Sequence, residues 1–571
     1  MNFPIEKITS RMLVGLSSPE LTSEERRLLA EYPPAGVILF ARNVESKGQL
    51  RRLTEELDRI FSYAGGEGGV ICADHEGGRI SVLSSAIGVS PSQMAIGKCD
   101  DVDLCRAVYI ETARRFRALG INLILAPLAD VNIEKKNPVI GTRSFSDDPE
   151  VVSRLTACAV KSLLAGGVVP CVKHFPGHGS TSEDSHFALP VIEKTYEQLS
   201  GCEFIPFIDA ISAGVPAVMV GHIALKGGRV PATFNPDVVR GWLRRDLSFN
   251  GVVITDALEM EGAFPVKENE PAGGDLHFLE ASILRPSNVQ LFLEQLIRVL
   301  DAGNDILLYS RPVEEVYAQL MRAISSGSEK VKFLFESLTA GEEGPSARLG
   351  KLKEMIAGLD KDATDKSKGK VARESIAYRR VAECVIESQG LSWREIREML
   401  LKGQISFWGE KEDFLNRSVY RVITSFKEKV LKDVNFSFEA IEFGDGYLRL
   451  KESGGITLDR DCNLSDLSSM YAGTGIFRAY TAGFDGAGTK TKGRGESIIE
   501  LLLPTGNSDR RVVFFINRRP LGESMLVKVA NNADLVVVSG IPCVAEMTVK
   551  VAPTVVTYDL YDSLVDVLSG E

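Results

Sequence analysis

"VVPCVKHFPGHGSTSEDSH", Val168 to His186, changes character partway along. Val168–Val172 is apolar without alternation, the pattern of a strand covered on both faces. Lys173 and His174 follow at once, and Pro176, Gly177 and Gly179 then stop any regular element. An apolar strand that delivers polar side chains at its C-terminal end is the repeating unit of a parallel α/β fold.

Seven further runs of this kind can be read: "MLVGL" (12–16), "GVILF" (36–40), "GVICAD" (69–74), "NLILAPL" (122–128), "AVMVGH" (217–222), "GVVITD" (251–256) and "DILLYS" (305–310). Amphipathic stretches lie between them. In "QLRRLTEELDRIFSYA", Leu50, Leu53, Leu57, Ile60 and Phe61 fall on one helical face. Eight β-then-α units over about 310 residues predict a TIM-type (β/α)8 barrel. A doubly wound open sheet is the alternative, but it needs fewer units. Residues 1–350 are expected as the barrel and 351–370, which end in "AGLDKDATDKSKGK", as a solvated linker. Residues 371–571 carry a second pattern, with "ISFWG", "RVVFFIN", "DLVVVSG" and "TVVTYDL" as strands. They are expected to form a smaller α/β domain, sandwich or Rossmann-like. No GxGxxG follows a strand there, so a dinucleotide site has no support. The Gly-rich stretch 475–497 reads as a long loop or hairpin, and 262–288 is longer than a simple βα loop.

The net charge of −11 leaves no basic footprint for nucleic acid. No apolar run is long enough to span a bilayer. No basic stretch followed by an apolar one opens the chain, so no signal peptide is expected. Nine cysteines are scattered without a CxxC pair. That pattern points to reduced thiols in a cytoplasm rather than disulfides or a structural zinc site.

Chemistry is expected where the strands end. Strand 3 ends in Asp74, His75, Glu76 and Arg79, and strand 4 runs into Asp130 and then Arg143. Strand 5 ends in Lys173 and His174, strand 6 in His222, and strand 7 in Asp256 and Glu259. Five of the six histidines lie at these ends. Asp256 at a strand tip can serve as a nucleophile, base or ligand, or simply cap the next helix. Asp184 and His186, two apart, can form an orienting dyad or be incidental loop residues. Lys173 and His174 are adjacent, so one faces the barrel axis and the other packs, unless twist brings both to the mouth. A buried Lys173 needs a partner, which Asp74 or Asp256 could supply. His174, His178 and His186 could ligate zinc, but their gaps are broken by Pro176 and Gly177 and match no zincin spacing. "GHGS" lacks the spacing and the lysine of a phosphate-binding loop. No metal and no cofactor are expected.

These motifs, with "GVILFARNVES", "DHEGGRI", "NPVIGTRSFSDDPE" and "PATFNP", occur in order through residues 12–310. Together they resemble glycoside hydrolase family 3, in its β-N-acetylglucosaminidase branch. The KHFPGHG…DSH segment is the most specific match, and residues 371–571 resemble the family's added α/β sandwich domain only loosely. The resemblance implies that Asp256 is the nucleophile, His186 the general acid/base and Asp184 its partner. It implies that Asp74, Arg143, Lys173 and His174 bind the sugar, with Met219, His222 and Arg42 at the rim. His75 departs from the family, where many relatives have Gln. The implied activity is retaining exo-hydrolysis of terminal β-GlcNAc, with small carbohydrates such as muropeptides as the partner. Phosphorolysis and a non-catalytic sugar-binding barrel are the competing readings. Neither the aglycone nor the oligomeric state is legible.

Overall fold

The computed structural model describes residues 4–65, 68–135, 137, 139–181, 189–260, 263, 283–340, 343–363 and 376–387, and beyond them eight strands of the C-terminal region. Chain contacts divide the protein into two units. The first comprises Met1–Gly88 and Asp100–Ala377, and the second Val89–Cys99 and Tyr378–Glu571.

The first unit is the expected barrel. Its strands are β1 (Met12–Gly15), β2 (Gly36–Leu39), β3 (Val70–Ala73), β4 (Leu123–Ile124), β5 (Val169–Phe175), β6 (Ala217–Val220), β7 (Val252–Thr255) and β8 (Leu307–Pro312). All neighbours pair parallel in chain order, and β8 returns to pair with β1. A parallel bridge between Ile254 and Ile306 closes the ring. The principal helices are α1 (Ser23–Glu31), α2 (Lys47–Gly65), α3 (Val102–Arg117), α4 (Pro149–Ala165), α5 (Phe204–Ser212), α6 (Asp237–Asp246, wound as a π-helix), α7 (Val289–Ala302) and α8 (Val313–Ser325), one after each strand. Local chemistry sets several starts. Thr22 and Glu25 form a reciprocal capping box on α1, and Asp148 caps α4 ahead of Pro149.

The lack of alternation in the strands has a direct cause, because both faces are buried. Leu13, Ile38, Cys72, Leu123, Cys171, Met219, Ile254 and Leu308 fill the barrel interior. Val172, Phe175, Val218, Val220 and Val253 pack outward with Phe204, Phe207 and Leu243 of the helical layer. After α8 come α9 (Glu329–Ala340) and α10 (Glu343–Ala363). Residues 351–363, expected as the start of a linker, are therefore helix. The reason is packing: Leu352 and Ile356 are buried against the interior cluster at the strands' N-terminal ends, with Ala35, Val70 and Val252. Arg348 anchors the same helix to Asp305 at 2.7 Å. Residues 364–370 lie outside the described ones.

The second unit holds α11 (Ile376–Glu387, from Tyr378) and the strands β9 (Gln404–Glu410), β10 (Phe438–Gly444), β11 (Tyr447–Glu452), β12 (Phe477–Thr481), β13 (Ser497–Leu503), β14 (Arg511–Asn517), β15 (Leu535–Gly540) and β16 (Thr554–Val556). Six of them form a mixed sheet in the order β12-β13-β9-β14-β15-β16. It is parallel from β9 to β16 and antiparallel across β12, β13 and β9. β12 and β13 pair antiparallel, with Thr481 opposite Ser497, and residues 482–496 of the Gly-rich stretch lie outside the described ones. Among the described residues, no helix is long and apolar enough to cross a membrane.

Candidate active site

The two-residue period of the inward strand faces places the first polar layer. Asp74 follows Cys72, Lys173 follows Cys171 and Asp256 follows Ile254, each one step above the apolar interior. The buried Cys171 thiol lies within reach of all three charges: burial pushes it up, Lys173 opposes this, and Asp74 and Asp256 add to it. Asp256 is partly exposed, and its carboxylate accepts from the Ala257 N–H at 2.8 Å. A helix cap would reach the N–H two or three residues on; this bond to the next residue instead fixes the carboxylate at the tip of β7.

Lys173 pairs with Asp74 and, at 2.6 Å, with Glu76. Arg143 grips the same Glu76 with two hydrogen bonds, Nε at 2.7 Å and Nη2 at 2.8 Å. Such a planar two-bond fork is the strongest form of carboxylate pairing. Burial alone would strip the proton from Lys173. Asp74 and Glu76 outweigh it and hold the ammonium above its ordinary range. Burial would likewise neutralise Glu76, but Arg143 and Lys173 keep it ionised well below the usual carboxylate range.

His174 joins the same mouth. The register between β5 and β6 shifts between Val172 and Phe175, so Lys173 and His174 both reach polar partners. His174 Nδ1 lies 2.8 Å from Asp130 Oδ2 and donates to it, because a carboxylate only accepts. In the neutral ring, Nε2 is then an acceptor, and it faces Arg143 Nη2 at 3.5 Å. Asp130 also accepts from the His178 N–H at 2.6 Å. Burial would raise Asp130, but the two histidines hold it below its ordinary value. His178 is buried, bonds Thr181 Oγ1 at 2.7 Å, and is pushed down to about 4, chiefly by burial. Its ring stands 6.0 Å from that of His174. Among the described residues, no group of three or more His, Cys, Asp or Glu could hold a metal ion.

The glycines of "PGHG" have a steric reason. A Cβ on Gly177, at φ +119°, would come within 2.8 Å of Glu203, and one on Gly179 within 1.8 Å of the Val131 carbonyl. Glu203 ties the two stems of the following loop, accepting from Ser180 Oγ at 2.8 Å and pairing with Lys194. Asp184 and His186 lie outside the described residues.

Other expected residues are placed elsewhere. Met219 is 2% exposed within the apolar interior, a layer below the mouth rather than at the rim. Arg42 is a backbone clamp, donating to the carbonyls of Leu16 at 2.7 Å and Ser310 at 2.5 Å. His222 is buried, with Nε2 2.9 Å from the Ala257 carbonyl and Nδ1 2.7 Å from Thr233 Oγ1. Nε2 must donate there, so His222 steadies the turn that carries Asp256. His75 packs edge-on against Phe116 and is held neutral, near 3, by burial and Arg115. Glu76 and Asp130 were visible at strand ends, but nothing local marked them as the central acceptors.

Residues 6–339 match the profile of the glycosyl hydrolase family 3 N-terminal domain. The chain belongs to glycosyl hydrolase family 3. Membership agrees with the resemblance carried by the motifs. A family relative, "Beta-hexosaminidase" of Stenotrophomonas maltophilia (strain R551-3), is 31% identical over 340 residues, covering 58% of this chain and 92% of its own length. "Beta-hexosaminidase A" of Pseudoalteromonas piscicida is 33% identical over 309 residues, covering 49% of this chain. The match spans about half (52%) of that relative's length. A solved family 3 β-N-acetylglucosaminidase from Paenibacillus sp. str. FPU-7 shares the fold with a TM-score of 0.63 at 22% identity, covering 100% of this chain and 97% of its own.

Proposed function

We propose that this family 3 chain is a retaining exo-β-N-acetylglucosaminidase. It removes terminal β-linked GlcNAc from small glycosides, among them muropeptide fragments, in the cytoplasm. Asp256 attacks the anomeric carbon and forms a glycosyl-enzyme. His186, oriented by Asp184, protonates the leaving oxygen and then activates water. Asp74, Lys173, Arg143 and His174 bind the sugar.

The observation that supports this reading is the convergence of Asp74, Lys173, Arg143, His174 and Asp256 at one barrel mouth. Asp74, Lys173 and Asp256 share the inward face one layer above the apolar core. Lys173 has three N–H donors and two carboxylate partners, which leaves one donor for a sugar hydroxyl. A histidine acid/base suits the role, since an unperturbed imidazole titrates near ~6.5 and exchanges protons close to neutral pH.

The test is turnover of an aryl β-N-acetylglucosaminide by wild type and Asp256→Ala. The variant should lose at least about a thousandfold in kcat, as expected when a covalent nucleophile is removed. Near wild-type turnover would sink the assignment. Product analysis on GlcNAc-MurNAc with added phosphate separates hydrolysis, which releases GlcNAc, from phosphorolysis, which releases GlcNAc-1-phosphate.

A further inference from the structure

Helices α3 and α4 lie side by side on the outside of the barrel, and each carries one cysteine at their contact. Cys105 Sγ is 3.7 Å from the Leu155 carbonyl, and Cys158 Sγ is 3.4 Å from the Val102 carbonyl. The arrangement is reciprocal: each sulfur sits over the carbonyl three residues before the other cysteine. Helical Cβ atoms lean toward the N-terminus. Mutual overlap of this kind therefore means that the two residues face each other across the seam. Each thiol is the largest single influence on the acidity of the other. Cys105 is buried, whereas Cys158 reaches solvent in part.

We propose that Cys105 and Cys158 form a peroxide-reactive thiol pair that closes reversibly to a disulfide between α3 and α4. The accessible Cys158 is the attacking sulfur and the buried Cys105 the resolving one. Cys158 sulfur bonds to one oxygen of hydrogen peroxide. The O–O bond breaks, and the other oxygen leaves as hydroxide, which takes up the Cys158 proton as water. Cys105 sulfur then attacks Cys158 sulfur and displaces the remaining oxygen. That oxygen takes up the Cys105 proton and leaves as a second water. The two thiols lose two electrons and peroxide gains them. A dithiol reductant exchanges with the disulfide, returning both cysteines to thiols and itself becoming a disulfide.

The chemistry of the two groups agrees with these roles. The neighbouring Cys105, helped by Ser162 and Arg106, lowers Cys158 to about 7, whereas Cys105 is pushed up by the neighbouring Cys158 and by burial. Other thiols provide contrasts. Cys72 and Cys171 are buried in the barrel interior and pushed up by burial. Cys202 has partial exposure like Cys158, but is pushed up by burial and by Glu203.

Alkylation of the native full-length protein at pH 7, read by peptide mass spectrometry, gives the first measurement. A thiol near 7 is about half ionised, against a few per cent for an ordinary one, and its lower intrinsic nucleophilicity returns part of that gain. Cys158 should therefore react about threefold or more faster than Cys202. The second measurement is a non-reducing digest after peroxide, in which a 105–158 linked peptide should appear and vanish with a dithiol. Cys158→Ser should abolish the link, and Cys105→Ser should leave Cys158 as sulfenic or sulfinic acid. Neither cysteine belongs to the sugar site, so turnover should persist in the linked protein. A Cys158 that alkylates no faster than Cys202, or that is oxidised in wild type without the link, would overturn the proposal.

Discussion

Replacing Glu76 with Gln removes one negative charge and almost no volume. Glu76 is 1% exposed at its side chain and is the shared acceptor of two cations, the half-buried Arg143 and the buried Lys173. Its loss leaves Asp74 to balance both. Breaking a buried pair by removing one partner costs about 3–5 kcal/mol. The amide keeps one acceptor and Asp74 keeps its hold on Lys173, so the lower figure, about 3 kcal/mol, applies. A domain of this size or somewhat smaller shifts by about 2 °C per kcal/mol, which gives a fall in Tm of about 6 °C. Scanning calorimetry measures it directly. Kinetics on an aryl β-N-acetylglucosaminide should show KM raised about tenfold, because Arg143 and Lys173 lose their common anchor. The sign with pH is also set. Glu76 lies below its ordinary value in the folded state, so its contribution is complete above about pH 4.3 and fades only as pH falls further. The gap between wild type and variant should therefore be constant from neutral pH down to that point. The exposed pair Arg27–Glu24 is the control: Glu24→Gln should leave Tm within about 1 °C. If E76Q melts within about 1 °C of wild type with KM unchanged, the buried network does not organise this mouth.

Three further outcomes follow from the same geometry. Asp130→Asn cannot accept as an anion from both His174 and the His178 N–H, so kcat/KM should drop at least about tenfold while secondary structure by circular dichroism is retained. His75 and His178 are held neutral near 3 and 4, below the unfolded value of about 6.5. Each therefore withdraws stability as pH falls through 6.5, about 2 kcal/mol at pH 5 relative to pH 8, and H75Q with H178N should flatten the denaturation midpoint against pH. Asp305→Asn weakens the anchor of α10 and its bonds to Arg348 and Arg244 at 2.7 and 2.6 Å. It should lower Tm by several degrees with KM unchanged, since Asp305 lies at the N-terminal end of β8, away from the mouth.

The sequence by itself determined the strand count, the helix between each pair and the end of the barrel that carries chemistry. Short, unalternating runs rich in Val, Ile and Leu and bounded by turn residues read as strands with two buried faces, and a two-residue period carries Cys72 to Asp74, Cys171 to Lys173 and Ile254 to Asp256. Those relations are local, so composition and spacing suffice to read them. Only the tertiary structure decided the partners. Glu76 meets Arg143 67 residues away, and Asp130 meets His174 44 residues away. It also turned His75 outward onto Phe116, set Met219 below the site, made Arg42 a clamp on two carbonyls, and converted residues 351–363 into a helix over the barrel's N-terminal end. Which carboxylate faces which cation depends on the register of strands around a closed ring. That register comes from the packing of all eight strands together, and no single stretch of chain encodes it.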